Sequence, residues 1–241
     1  PEFTQLDIET SFLSEDQILE LMEGLLAKIF KEIVNFDVKL PLRRLPYDEA
    51  ISKYGSDKPD TRFDILINDY KNILSKCDFE AYQTLEHIRG IVVPGVANDT
   101  SRKIIDNLNL EARKFGLKGV TVIKMINNAL EGSFVKFLSQ EIQEQLIKAS
   151  NMNNGDIIII GASDDYYTLS SLLGALRCQY AKTLGLIKPN TYDLLWVNRF
   201  PMFERNKEGK ITSSHHPFTR PLDEHLEYLD SDPTKIKAYA Y

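Results

Sequence analysis

Cysteine is scarce in this sequence of 241 residues, which holds only Cys77 and Cys178. The two lie far apart, without a CxxC spacing or the cysteine–histidine spacing of a zinc site. This argues against a disulfide framework and a zinc site, and a thiol nucleophile is disfavoured because neither cysteine has a histidine nearby. Free cysteines fit a reducing compartment, so we expect a cytoplasmic location.

Positive charge and long apolar runs are also in short supply. Lys and Arg number 29 against 35 Asp and Glu, a net charge of −6. The global basic footprint of a nucleic-acid-binding protein is therefore absent, and such a partner would have to meet a local basic patch. No apolar run approaches the roughly 18 residues of a membrane span, and no basic-then-apolar leader opens the chain, so we expect no membrane association.

Several glycine-dependent motifs are missing as well. The sequence has no GxxxxGK[ST] phosphate loop, no GxGxxG dinucleotide fingerprint and no GxSxG nucleophile elbow. These absences disfavour P-loop nucleotide hydrolysis, dinucleotide redox chemistry and the usual serine hydrolase arrangement.

The first twelve residues predict a strand that carries chemically useful groups. Spacing of two residues would place Phe3, Gln5 and Asp7 on one face of it. An aromatic, an amide and a carboxylate in a row resemble a ligand platform. A half-buried edge strand with a solvated polar face is the more common use of such a pattern.

The remaining sequence predicts an α+β protein in three segments. Residues 1–69 hold a helix with a capping box at Ser14, and a short helix that ends at Gly55. Residues 70–187 form a module of about 115 residues, and residues 188–241 return to strand-like sequence. The expected strands are 38–42, 119–125, 156–161 and 192–200, with a hairpin over 79–85 and 88–93; the expected helices are 47–53, 99–115, 139–150 and 164–184.

Two polar segments are candidates for binding chemistry. His215 and His216 precede Pro217 in an extended or turn segment, which could be a solvated turn, a metal site, or a loop whose imidazole meets an anionic ligand. The charged loop 56–62 contains Lys58 and Arg62, which either lie in solvent or contact phosphates.

These segments together resemble the bacterial-type aspartyl-tRNA synthetases, a class II family. The resemblance rests on PEFTQLDIETSF at 1–12, YGSDKPDTR at 54–62, WV at 196–197 with FPMFE at 200–204, and HHPFT at 215–219. The module 70–187 resembles the family's GAD insertion domain, with GALR at 174–177 near its end. The implied fold is part of a class II antiparallel-sheet catalytic core with an inserted α/β domain.

The resemblance also implies an activity and its residues. The family joins aspartate to ATP as aspartyl-adenylate, with Mg2+, and passes the aspartyl group to tRNA. By position, His215, Asp7 and Gln5 would bind aspartate, while Phe3 and His216 would bind ATP or the adenylate. Lys58 and Arg62 would be possible tRNA contacts, and no protein metal ligand is implied.

The same resemblance implies that parts of the enzyme are missing from this sequence. Motif 1, the motif 2 arginine and motif 3 have no counterpart here, so no catalytic residue is assigned and the chain alone is expected to be inactive. The complete enzyme is expected to be a homodimer. The alternative is a non-catalytic, tRNA-associated GAD module related to an amidotransferase subunit.

Overall fold

The computed structural model describes residues 2–206 and 208–241. Pro1, the first residue of the predicted terminal strand, and Lys207, in the charged tip between two later strands, lie outside the described residues. The helices are α1 (Glu15–Val34), α2 (Tyr47–Tyr54), α3 (Lys71–Leu74), α4 (Glu80–Thr84), α5 (Arg102–Lys114), α6 (Gln140–Ser150) and α7 (Tyr166–Thr183). The strands are β1 (Arg43–Pro46), β2 (Ile67–Asp69), β3 (His87–Val93), β4 (Thr121–Ile126), β5 (Ala129–Glu131), β6 (Ile157–Ser163), β7 (Leu195–Asn198), β8 (Phe203–Arg205) and β9 (Ile211–Ser213).

The chain forms two compact units. The first combines the residues up to Leu45 with Leu194–Tyr241, and the second is the continuous segment Pro46–Asp193. The second unit includes more residues than the predicted inserted domain of residues 70–187. The difference arises because α2 and the loop after it pack on α7, which draws residues 46–69 into this unit.

The second unit is built on a five-stranded antiparallel sheet in the order β2-β3-β6-β4-β5. The central strand β6 is covered on both faces. Ile157 and Ile159 pack into one core with α5 and α7, while Ile158 and Ile160 pack into a second core with α3, α4 and α6. The alternation of side chains along a strand explains why an entirely apolar stretch can feed two separate cores.

The first unit contains α1, two small sheets and short 3-10 helices. Ser14 and Gln17 form the predicted capping box, and Asn35 in the left-handed region ends α1. β1 pairs with β7, and β8 pairs with β9 in an antiparallel hairpin. Met202, Ile236 and Ala238 form a small core beside this hairpin.

Two predicted strands are wrong. Over 2–10 no strand forms, and these residues are exposed. Alternating side chains do not make a strand without a neighbour to accept its backbone hydrogen bonds, and none of the described strands pairs with this segment. Residues 38–42 are likewise irregular, and the strand begins at Arg43.

The predicted hairpin over 79–93 is only half correct. Its second half is β3, but Glu80–Thr84 is the short helix α4. Phe79 and Tyr82 form edge-on ring contacts there, at a centroid separation of 5.2 Å, and both rings also contact Phe134. Aromatic packing in the core therefore overrides the strand propensity of this segment.

The other predicted helices are confirmed within a few residues. Ser101 and Ser139 cap α5 and α6, while α7 is capped by Asp165, one residue later than expected. Within the described ranges, no helix is long and apolar enough to cross a bilayer.

Candidate functional site

The histidine pair lies in a tight turn directly after β9. Ser213 organises it, because its Oγ donates to the backbone oxygen of His215 at 2.9 Å and accepts the His215 N–H at 3.4 Å. The Nδ1 of His216 accepts the N–H of Phe218 at 3.3 Å, and the two rings meet edge-on at 4.6 Å. The turn therefore holds both histidines through local hydrogen bonds and ring packing.

The two histidines have different environments. His216 is exposed, whereas His215 is partly buried and its ring meets Phe200 edge-on at 5.9 Å. The Nε2 of His215 is buried and has no hydrogen-bond partner among the described residues. A buried imidazole nitrogen without a partner can donate a hydrogen bond to a polar ligand or accept one from it. Such an atom suits a loop whose imidazole meets an anionic ligand, one of the three uses predicted for this segment.

Two further polar side-chain atoms of this unit are buried without a hydrogen-bond partner among the described residues. Asn198 Oδ1 at the end of β7 and Ser214 Oγ are buried, and nothing in the described part of the chain bonds to them. Sequence reasoning did not single out either residue. Their signal was weak, since an isolated Asn or Ser is common in turns and strand ends.

The structure does not place the other predicted substrate-binding residues beside His215. Phe3 is 81% exposed, and Gln5 and Asp7 are exposed as well. None of the three makes a hydrogen bond, ion pair or ring contact with a described residue. The one-faced platform predicted for them does not form, because the segment is not a strand.

A cavity of about 640 Å³ lies at the amino end of α1. Its charged lining residues are Glu15, Asp16, Arg199, Arg220 and Glu224. Burial, followed by the charge of Asp16, raises the pKa of the Glu15 carboxyl. Arg199 pairs with Glu224 at 2.8 Å, so the cavity is electrically mixed and does not favour an anion.

The loop after α2 uses Arg62 for its own structure. Arg62 binds Asp60 through a two-pronged contact, with Nε to Oδ1 at 2.9 Å and Nη2 to Oδ2 at 2.7 Å, and Nη1 donates to the oxygen of Thr191 at 3.2 Å. The Arg62 side chain thereby holds the pKa of Asp60 below its ordinary value. Of the two predicted phosphate contacts, Arg62 has its donors engaged, while Lys58 is exposed.

Two buried arginines hold this loop and α2 against α7 and the sheet. Arg177, fully buried, donates from Nε to Ile65 oxygen at 2.6 Å and from Nη2 to Asp60 oxygen at 2.9 Å. Its guanidinium also lies over the rings of Tyr54 and Phe63, at 5.0 and 4.2 Å. Burial lowers the pKa of this guanidinium.

Arg89 on β3 plays a similar part. It is 2% exposed, donates to Ser170 Oγ and to the oxygen of Ser52, and lies 4.6 Å over the ring of Tyr166. Sequence reasoning missed both arginines as structural groups, because a charged residue is expected at the surface. For Arg177 the available signal was its position inside the apolar helix α7.

Metal binding by side chains has no support in the described residues, since no three His, Cys, Asp or Glu side chains come together in a way that could hold an ion. We therefore assign no residue of this chain to the expected Mg2+.

Comparison with known proteins places these features in a family. A family model described as "tRNA synthetases class II (D, K and N)" matches residues 1–241. Curated relatives named aspartate–tRNA ligase from Streptococcus pneumoniae strains JJA and Hungary19A-6 are 43% and 42% identical to the chain over its whole length. The chain spans 41% of the length of these relatives.

Proposed function

Because this chain belongs to the class II tRNA synthetase family (D, K and N), we propose that the protein containing it is an aspartate–tRNA ligase. It would join aspartate to ATP as aspartyl-adenylate and then transfer the aspartyl group to tRNA. The names of the relatives support this assignment, and their similarity extends over the whole chain, including both flanks of the second unit.

The observation that carries the proposal is the buried, unpartnered Nε2 of His215. We assign this atom to a carboxylate of the substrate aspartate, with Gln5 and Asp7 as further aspartate ligands once their segment is ordered against it. Asp7 suits the substrate ammonium by charge. Phe3 and the exposed His216 would contact the adenine and phosphate parts of ATP.

The chemistry requires no nucleophile from the protein. An oxygen of the substrate carboxylate attacks the α-phosphorus of ATP, and the bond to the leaving pyrophosphate breaks. Binding groups contribute by fixing the reacting atoms in line and by stabilising charge in the transition state. Mg2+ would accompany ATP and offset the charge of its phosphates.

Residues 70–187, which lie within the second unit, are proposed to be the GAD insertion domain. Support comes from the single continuous segment of that unit, set between two segments that form the other unit. The proposal also includes a tRNA contact at Lys58, which is exposed in the loop that Arg177 anchors. A homodimer of the complete enzyme and a cytoplasmic location remain part of the same proposal.

The alternative, a non-catalytic GAD module, does not account for the flanks. A module of that kind has no need for the His215 turn, yet the similarity to the ligases continues through it to the end of the chain. We therefore retain the ligase as the single proposal.

Aspartate-dependent exchange of pyrophosphate into ATP, measured on the full-length protein, tests this assignment. We expect exchange with aspartate and none with lysine. His215→Ala should lower kcat/KM for aspartate by about a hundredfold, in the range known for loss of one well-placed hydrogen-bond donor. His87→Ala, a partly exposed histidine in the other unit, is the matched control and should change little.

Two results would contradict the proposal: a full-length protein without aspartate-dependent exchange, or one in which His215→Ala and His87→Ala behave alike. The 241-residue chain alone is expected to show no exchange. Exchange by that chain would contradict this expectation.

A further inference from the structure

One Asn-Gly dipeptide occurs in the sequence, at Asn154 and Gly155. It lies in the turn that joins α6 to β6 in the second unit. Asn154 is exposed, and a Cβ placed on Gly155 would meet nothing within 4 Å. An asparagine before glycine is chemically special, because glycine has no Cβ to shield its backbone nitrogen from the neighbouring side-chain amide.

Attack by that nitrogen changes the covalent structure in a defined way. The Gly155 nitrogen forms a bond to Cγ of Asn154, the Cγ–Nδ2 bond breaks, and Nδ2 leaves as ammonia with the proton that the Gly155 nitrogen gives up. Water then opens the resulting five-membered succinimide at either carbonyl carbon. The product is aspartate, or isoaspartate, in which the main chain runs through Cγ. Water is the co-reactant, and nothing is oxidised or reduced.

Hydrogen bonds restrain this reaction in the folded protein. The Gly155 N–H donates to the backbone oxygen of Met125 at 2.8 Å, so the attacking nitrogen is engaged. The Gly155 oxygen accepts from the N–H of Ala97, also at 2.8 Å. The Oδ1 of Asn154 accepts from the N–H of Asn128 at 3.2 Å, which ties the side-chain amide to the turn between β4 and β5. The reaction therefore requires these contacts to open.

The buried carboxylate of Asp156 stabilises the closed turn. Asp156 is 6% exposed, and its two oxygens accept the N–H of Gly95 at 2.9 Å and the N–H of Asn153 at 2.7 Å. Residues 153–155 are polar or lack a side chain, so hydrogen bonds and not apolar packing hold them in place. A surface segment held in this way is the kind that opens locally while the rest of the unit stays folded.

We propose that Asn154 is a site of spontaneous deamidation whose rate is set by local opening of the turn 153–156. The closed turn prevents attack because the nitrogen of Gly155 and the amide of Asn154 are both held by other residues. In the open turn the reaction proceeds as it does in an unfolded chain. The inference does not depend on the proposed ligase activity.

The two products have different consequences for the fold. Aspartate at position 154 adds one negative charge and keeps an oxygen that can accept from the N–H of Asn128. Isoaspartate lengthens the main chain by one methylene before Gly155. The turn can then no longer close with both the Met125 and the Ala97 hydrogen bonds in place. We therefore expect the amides of Ala97 and Gly155 to lose hydrogen-exchange protection in the isoaspartate form only.

The test follows deamidation in the full-length protein, folded and unfolded in guanidinium chloride, in a mildly alkaline buffer. Peptide mapping by mass spectrometry reads each asparagine of the 241 residues, and an isoaspartate methyltransferase assay measures isoaspartate. In the unfolded protein Asn154 should be modified before the other asparagines. In the folded protein its rate should be about tenfold lower or less, because the closed turn dominates. Equal rates in the two states, or a different asparagine modified first in the unfolded protein, would overturn the proposal.

A pair of variants separates local opening from global unfolding. Asp156→Asn replaces one acceptor oxygen with a donor and weakens the closed turn, so the folded-state rate at Asn154 should rise several-fold while the unfolded-state rate changes little. The matched control is Asp165→Asn, since Asp165 also accepts a backbone N–H, that of Thr168 at 2.9 Å, but at the amino end of α7. The control should keep the wild-type rate. Equal acceleration in both variants would show that global unfolding, and not the turn, controls the reaction.

Discussion

The guanidinium of Arg177 donates from Nη2 to the backbone oxygen of Asp60 over 2.9 Å, although 117 residues separate the two in the sequence. A second donor of the same side chain reaches Ile65 oxygen at 2.6 Å. One buried arginine thus joins the last long helix of the second unit to the loop near its beginning, and among the described residues no carboxylate bonds to it.

Replacing Arg177 with Met should destabilise the second unit by roughly 2–6 kcal/mol, because two carbonyls lose their buried donor at about 1–3 kcal/mol each. Hydrogen exchange of the β6 amides in the full-length protein measures this, since a protein of several domains has no single unfolding free energy. The exposed Arg113→Met is the control and should change stability by less than about 0.5 kcal/mol. Similar protection in both variants would show that Arg177 does not hold the unit together.

Gly174 should tolerate no side chain. A Cβ there would lie 2.8 Å from the backbone oxygens of Tyr54 and Gly55, where α2 and α7 come into close contact. Gly174→Ala should therefore cost roughly 1–3 kcal/mol through overpacking. In contrast, a Cβ on Gly24 in α1 meets nothing within 4 Å, so Gly24→Ala should add about 0.5–1 kcal/mol.

The same pair of variants can be compared by hydrogen exchange in the full-length protein, read at the α7 amides for Gly174→Ala and at the α1 amides for Gly24→Ala. Opposite shifts in protection are expected. Shifts of the same sign would contradict the close approach of α2 and α7 at Gly55 and Gly174.

The Asp60–Arg62 contact should make stability depend on pH in the acid range. The pKa of Asp60 is lowered in the folded state below the ordinary 3.8, chiefly by its hydrogen bond from Arg62. The stabilisation is therefore complete above pH 3.8 and is lost as the pH falls through the lower, folded-state value. The stability difference between wild type and Asp60→Asn, measured by hydrogen exchange at several pH values, should shrink in that acid range. A difference that stays constant there would argue against the assigned pKa shift.

Ser213 should position His215 without touching substrate. Its Oγ bonds to both backbone polar groups of His215. Ser213→Ala should raise KM for aspartate several-fold in the exchange reaction, with kcat changed less, because the imidazole is displaced but remains present. Ser213→Thr, which keeps the hydroxyl, should restore KM; failure of the threonine variant to do so would assign the effect to general loosening of the turn.

The elements that local rules govern can be predicted from the sequence alone. The capping box at Ser14, the serine caps of α5 and α6, and the glycine that ends α2 each satisfy backbone groups through neighbouring residues. The strand β6 was also predictable, since few other arrangements cover its four consecutive isoleucines. The turn that carries His215, and the family of the chain, could be recognised from sequence motifs.

Tertiary structure decided what depends on distant partners. Whether residues 2–10 form a strand depends on a neighbouring strand, and no pattern within the segment supplies one. Packing of the Phe79 and Tyr82 rings against Phe134 turned a predicted strand into α4. The burial of Arg177 and the orphan Nε2 of His215 depend on which atoms surround them after folding, because the free energy of a polar group is set by its surroundings and not by its place in the sequence.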